Sequence, residues 1–191
     1  KRTHYHIAMP DFILQNRDRD LSTIGLLITM ASIIMLFGTL ISSFFVLKIR
    51  LMKPIMFPGN ITLIGYVNTA ILIGSSITFF ISEKKYQTNK PYGFDLWLLF
   101  TIMGGVVFLL GQLLLWSELT TMGIPFTFGQ LSDMFYVISG AHGLHILVGL
   151  GLLIWIQLSK HNHYNRIHHV GIFWHFLGII WTLLFASFIL L

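Results

Sequence analysis

The chain contains no cysteine. A disulfide-stapled scaffold is therefore excluded, and thiols carry no information about the redox compartment. Charge is scarce as well. Asp, Glu, Lys and Arg together make up 10% of 191 residues, and only seven residues are acidic; an ordinary soluble domain carries about 25% charged residues. Hydrophobic types reach 55%, with 17 Phe. That balance excludes a disordered chain and a water-exposed globule. The formal net charge of +5 would suggest nucleic acid in a soluble protein. Here the charges stand in short clusters between apolar runs, so a membrane is the expected partner and nucleic acid is not.

Five stretches lack Asp, Glu, Lys and Arg altogether: 21–47, 56–82, 96–117, 134–159 and 167–191. A bilayer core about 30 Å thick needs roughly 20 apolar helical residues. Backbone groups in lipid must be satisfied internally, so stretches of this length and apolarity are expected to be helices. The sequence predicts an all-α integral membrane protein, a bundle of five transmembrane helices near 22–47, 60–82, 95–117, 132–158 and 169–191. Residues 1–21 form an N-terminal cytoplasmic segment and residues 22–191 the transmembrane domain. The first run is too long, and begins too deep in the chain, for a signal peptide. No Met opens the chain, so residues ahead of Lys1 are expected to be missing or processed. Neither a soluble domain nor an internal repeat is expected.

Lysine and arginine set the orientation. Nine fall on one side (Lys1, Arg2, Arg17, Arg19, Lys84, Lys85, Lys90, Lys160, Arg166) and three on the other (Lys48, Arg50, Lys53). The positive-inside rule then puts the N-terminus in the cytoplasm and the C-terminus outside. Small residues mark expected packing faces: Ala70, Gly74 and Thr78; Gly104, Gly105 and Gly111; Ser139, Gly140 and Gly143, then Gly149 and Gly151. Bundle packing is the expected role of each glycine. Asn68, Thr69 and Gln112 are candidates for hydrogen bonds between helices.

Nine histidines raise the question of metal. His142 and His145 lie three apart on the fourth helix. Counted from its cytoplasmic end at 1.5 Å per residue, they sit about 24 Å and about 20 Å deep, whereas His175 sits only about 8 Å deep. Two axial ligands of one haem need similar depth, so a bis-histidine haem is not expected. A second possibility is a cytoplasmic cluster of His161, His163, His168, His169 and His175, as in a di-iron membrane desaturase or hydroxylase. No acid follows Asp133 to complete such a site. The simpler reading is a headgroup boundary, with Lys160, Arg166, His161, His168 and His169 contacting lipid phosphates. His142 and His145 are then expected to donate to a carbonyl or hydroxyl on a neighbouring helix and so lock the packing. None of the seven acids falls inside a predicted helix core, which argues against a free-standing carrier or pump.

The fourth helix reads Ser139-Gly140-Ala141-His142-Gly143-Leu144-His145-Ile146-Leu147-Val148-Gly149. It closely resembles the signature of subunit III of the haem-copper oxidases, the cytochrome c and quinol oxidases. The resemblance continues in Val67-Asn68-Thr69-Ala70 with Ser75-Ser76, Gly105 to Gln112, Ile124-Pro125-Phe126-Thr127, His168-His169, and Phe173-Trp174-His175-Phe176 followed by Trp181. It implies a five-helix bacterial form in the cytoplasmic (inner) membrane, lacking the first two helices of the seven-helix form. It also implies a non-redox subunit that packs on the catalytic subunit I beside the other oxidase subunits. Such a subunit holds phospholipid, supports proton uptake and protects turnover during reduction of oxygen to water. Haem and copper would sit in partner subunits. This chain would bind no metal or cofactor of its own and carry no catalytic residue. The family-motif residues on this chain are His142, His145, Gly140, Gly143, Gly149, Asn68, Thr69, Gln112, Trp174, His175 and Trp181. Three carboxylates common in the family are replaced by Ser32, Leu115 and Gly178, which weakens a proton-antenna role here. The His168-His169 pair favours cytochrome c over quinol as donor by resemblance. Membership of a respiratory supercomplex is left open.

Overall fold

A computed structural model of the chain describes residues 11–51, 59–88, 90–123, 129–159 and 164–190. Within them lie five helices: α1 (Asp11–Leu51), α2 (Gly59–Gln87), α3 (Pro91–Thr121), α4 (Gln130–Leu158) and α5 (Tyr164–Leu190). Each contains a window apolar and long enough to cross a membrane. The protein is an all-α bundle of five membrane-spanning helices. None has a polar stripe of the kind that separates core from water, because the surrounding solvent is apolar as well.

The helices run past the charge-free stretches. α1 begins at Asp11 rather than near 22, α2 continues to Gln87, and α5 begins at Tyr164 rather than near 169. Absence of charge locates the segment that sits in hydrocarbon. The hydrogen-bond ladder need not stop there, and polar residues continue it into the headgroup layer and water. The 41 residues of α1 span about 60 Å at helical rise, roughly twice a hydrocarbon core.

α2 and α3 form an antiparallel hairpin with the most extensive contact in the molecule. Their turn is short, and Pro91 opens α3 at a position where a missing N–H costs nothing. α3 closes at Gly123, whose φ of +79° is left-handed. Its N–H bonds to the Thr120 carbonyl at 3.1 Å, as does that of Met122 to Glu118. Such a reversal at a helix end suits glycine, which has no Cβ to clash. α2 also packs on α5, α3 on α4, and α4 on α5, so these four close a ring. α1 lies outside it, against α4 and α5. It is the least enclosed helix, with 11% of its apolar window buried against 56% for α5.

α1 enters the core through two aromatic side chains. Phe44 meets Phe188 edge-on at 5.3 Å, and Phe37 points between the rings of His142 and His145. Met35, Leu114 and Leu144 project outward and are more than half exposed. Lipid tails solvate such side chains as well as a protein core does. Helix association therefore rests on close packing and on hydrogen bonds between helices.

Candidate functional site

Five of the family-motif residues, Trp181, His142, Thr69, Asn68 and Gln112, lie in one buried layer inside this ring. Trp181 of α5 is 1% exposed and its indole N–H donates to Thr69 Oγ1 of α2 at 3.1 Å. The Thr69 hydroxyl in turn donates a hydrogen bond to the Gly65 carbonyl at 2.8 Å. Phe108 of α3 meets Trp181 edge-on at 5.0 Å, and His142 of α4 stacks on it at 5.1 Å and 29°. His142 is fully enclosed, with Phe37 and Phe108 presenting edges at 6.0 and 5.9 Å. All five helices thus meet around two rings. Asn68 and Gln112 are buried nearby on α2 and α3. The Asn68 side chain lies so close to Gly111 that any β-carbon there would collide with it.

The hydrogen bonds of this layer differ from the expectation for His142. Both its ring nitrogens are buried without a hydrogen-bond partner among the described residues, as are Asn68 Nδ2 and both amide atoms of Gln112. Its neighbours are aromatic rings, which offer faces and edges rather than carbonyls or hydroxyls. His145 does not make the expected bond to a neighbouring helix either: its Nδ1–H donates to the Ala141 carbonyl one turn back within α4, at 2.7 Å.

A second layer is organised by Trp174, also 1% exposed. Its indole N–H donates to Ser75 Oγ at 3.3 Å, and Ser75 donates to the Thr101 carbonyl at 2.9 Å. The Thr78 and Thr101 hydroxyls bond each other at 2.9 Å. Gly105 and Gly149 make room for the indole: a β-carbon on either would lie 2.7 or 3.1 Å from the ring. At Gly140 and Gly143 an added β-carbon would make only ordinary contacts with Trp116 and Leu109. The proposed stripe of Ala70, Gly74 and Thr78 does not form one packing face. Ala70 is exposed and Gly74 faces open space; the close approach to α3 runs through Ser75 instead. The Ser-Ser pair in a charge-free stretch was the available sequence signal for this contact.

His175 packs against Phe79 at 5.8 Å. Trp181 lies six residues further along α5, about 9 Å by helical rise. Because His142 is stacked on Trp181, the His142 and His175 rings sit at different levels and cannot flank one iron. Among the described residues no group of three or more His, Cys, Asp or Glu could hold a metal ion. His161 and His163 lie outside the described residues, as does Lys160.

One end of the bundle carries a network that sequence reading missed. Glu83 of α2, whose side chain is 13% exposed, accepts a 2.8 Å bond from His168 Nδ1 of α5 and a 3.1 Å bond from the Tyr164 hydroxyl. Gln87 Nε2 donates to that hydroxyl at 2.7 Å. Thr23 of α1 and His169 of α5 are bonded at 3.2 Å. The Arg166 guanidinium lies 5.5 Å from the centre of the Trp155 ring. The signal for the Glu83–His168 hydrogen bond was the single acid closing the second charge-free stretch, opposite a Tyr and a His one helical turn apart.

The fold and its interhelical hydrogen bonds define a multi-pass helical membrane protein whose buried polar residues join its helices. The comparisons with known proteins agree. The family described as Cytochrome c oxidase subunit III matches residues 19–190, and the chain belongs to that family. The "Cytochrome c oxidase subunit 3" of Thermostichus vulcanus is 30% identical over 177 residues, 87% of this chain and 86% of the relative. That of Synechocystis sp. is 33% identical over 126 residues, 62% of this chain and 53% of the relative. The "Probable quinol oxidase subunit 3" of Staphylococcus haemolyticus is 27% identical over 184 residues, 91% of this chain and 90% of the relative.

Proposed function

We propose that this chain is the non-redox subunit III of an aerobic haem-copper oxidase, seated on the haem- and copper-bearing subunit I in a bacterial inner membrane. The observation that carries the proposal is the family match over residues 19–190, which takes in all five membrane-spanning segments. Oxygen reduction then belongs to the partner, and this chain supplies packing surface, bound phospholipid and support for proton uptake. The N-terminus faces the cytoplasm. Lys84, Lys85 and Arg166 stand on the bundle end joined by the Glu83–His168 and Thr23–His169 contacts, and that end takes the positive-inside side.

Cytochrome c is the favoured electron donor; quinol is the second reading, supported by the Staphylococcus haemolyticus similarity. Purification in mild detergent through a tag on this chain tests both. Co-purifying haem-bearing subunits with turnover on reduced cytochrome c are the expected result. Turnover on quinol alone would move the assignment to the quinol type, and absence of any haem-bearing partner would overturn the subunit assignment.

A further inference from the structure

Two carboxamide side chains are sealed into the layer that holds Trp181 and His142. Asn68 of α2 is 2% exposed and Gln112 of α3 is 3% exposed. Asn68 Nδ2, Gln112 Nε2 and Gln112 Oε1 have no hydrogen-bond partner among the described residues. The two amides stand at one level of the α2–α3 hairpin. Ser75 packs against Gly104 and Asn68 against Gly111, so seven residues back along α2 answer seven forward along α3. Gln112 is then one residue, about 1.5 Å of rise, from the level of Asn68. His142 shares the layer, but its neighbours are the rings of Phe37, Phe108 and Trp181.

Buried amide groups without partners are costly. A direct bond from Asn68 Nδ2 to Gln112 Oε1 would still leave Gln112 Nε2 unpaired. A water molecule both accepts and donates, and buried waters typically make about three bonds to such groups. There is also a way in. A narrow cavity of about 20 Å³, whose walls include Leu115, Trp181 and Phe188, borders the layer; one water needs about 10–15 Å³ of such space. Leu115 lies one helical turn beyond Gln112, toward the nearer end of the bundle. Gln112 is five residues from Ser117, where the charge-free stretch ends, a distance of about 8 Å at helical rise. The position also suits a tie between helices. Ser75 and Thr78 bond to Thr101, and Ser82 to the Phe94 carbonyl, all toward the hairpin's turn. Asn68 lies two helical turns further from that turn than Ser75.

We infer that Asn68 and Gln112 form a binding site for a structural water, which bridges α2 and α3 through their amides. Asn68 Nδ2–H donates to the water, and the water donates to Gln112 Oε1. The site is a property of this chain's own hairpin and stands apart from the subunit assignment above.

Two measurements test it. A high-resolution density map of the protein purified in mild detergent, with the subunits that accompany it, should show solvent within about 3 Å of both side chains. Amides bonded directly to each other, or with no solvent between them, would overturn the site. The second measurement is thermal melting of Asn68→Leu, Gln112→Met and the double variant, which conserve shape closely. With a bridging water, each single variant leaves the other amide unpaired and should melt about 2–4 °C lower. The double variant removes both polar partners and should return to within about 1 °C of the parent. Two amides without a bridge behave oppositely: each single substitution removes an unpaired group and raises the melting temperature. Additive changes of either sign in the double variant would overturn the bridge. If a single variant fails to accumulate, the density map of the parent protein still decides.

Discussion

His142 is stacked on Trp181 at 5.1 Å, and among the described residues only Trp181 of the two has a hydrogen-bond partner. The tryptophan anchors α5 to α2; the histidine fills space among three rings. Its packing therefore matters more than its polarity. His142→Phe should keep the ring and remove two unsatisfied nitrogens, leaving stability unchanged or raised by about 1–2 kcal/mol. His142→Ala should cost about 2–4 kcal/mol through the cavity it leaves. Thermal unfolding in detergent separates the two. A destabilised Phe variant rescued by His142→Asn would show that polarity is required after all.

The Trp181–Thr69 bond predicts a measurable coupling. Thr69→Val keeps shape and removes the acceptor, leaving a buried indole N–H. A double-mutant cycle with Trp181→Phe should give about 0.6–1.7 kcal/mol, the range for hydrogen bonds between membrane helices. Coupling near zero in mixed-micelle unfolding would mean that the indole finds another acceptor.

Glycines on the same bundle should respond very differently to one added methyl. Gly105→Ala places a β-carbon 2.7 Å from the buried Trp174 ring and as close to Leu150. Leu150 can swing aside, but the indole is fixed by Ser75, so a loss of about 1–3 kcal/mol is expected. Gly74→Ala meets nothing within 4 Å and should stay within about 0.5 kcal/mol of the parent. Equal effects in melting experiments would show that backbone flexibility rather than space governs both sites.

These sites explain what could be read in advance. The five spans were legible because hydrocarbon excludes charge, a constraint written residue by residue. The pairing of Thr69 with another helix was legible in kind, since a buried hydroxyl in lipid needs a partner, but its partner depends on helix rotation. Rotation is set by contacts such as Ser75 with Gly104, and helices apolar all round offer no periodic signal for it. The stripe of Ala70, Gly74 and Thr78 failed for that reason. Glu83 was missed because its partners, Tyr164 and His168, lie about 80 residues away.

Orientation can be tested with the chain's own lack of cysteine. Lys84 and Ser117 are exposed near opposite ends of the α2–α3 hairpin. With the nine-to-three Lys/Arg asymmetry facing the cytoplasm, a membrane-impermeant thiol reagent added to intact cells should label Ser117→Cys and spare Lys84→Cys. The reverse pattern would invert the topology.

Lipid binding should be sensitive to Arg166. Its guanidinium is exposed and lies over the Trp155 ring at 5.5 Å, which positions it without neutralising it. His168 nearby is held by Glu83, so that acid is already engaged. A fixed cation beside an interfacial tryptophan, on the end expected to face an anionic leaflet, is worth about 1 kcal/mol of attraction to a phosphate. Arg166→Gln should therefore lower the phospholipid that co-purifies with the complex by about fivefold at sub-saturating lipid. Arg166→Lys should retain the attraction to phosphate while weakening the stack on Trp155. The haem spectrum of the partner should be the same in all three proteins, because Arg166 lies at the membrane boundary. Phospholipid analysis by mass spectrometry alongside subunit stoichiometry reads both effects. Equal lipid content in the Gln variant and the parent would leave Arg166 with a topological role alone.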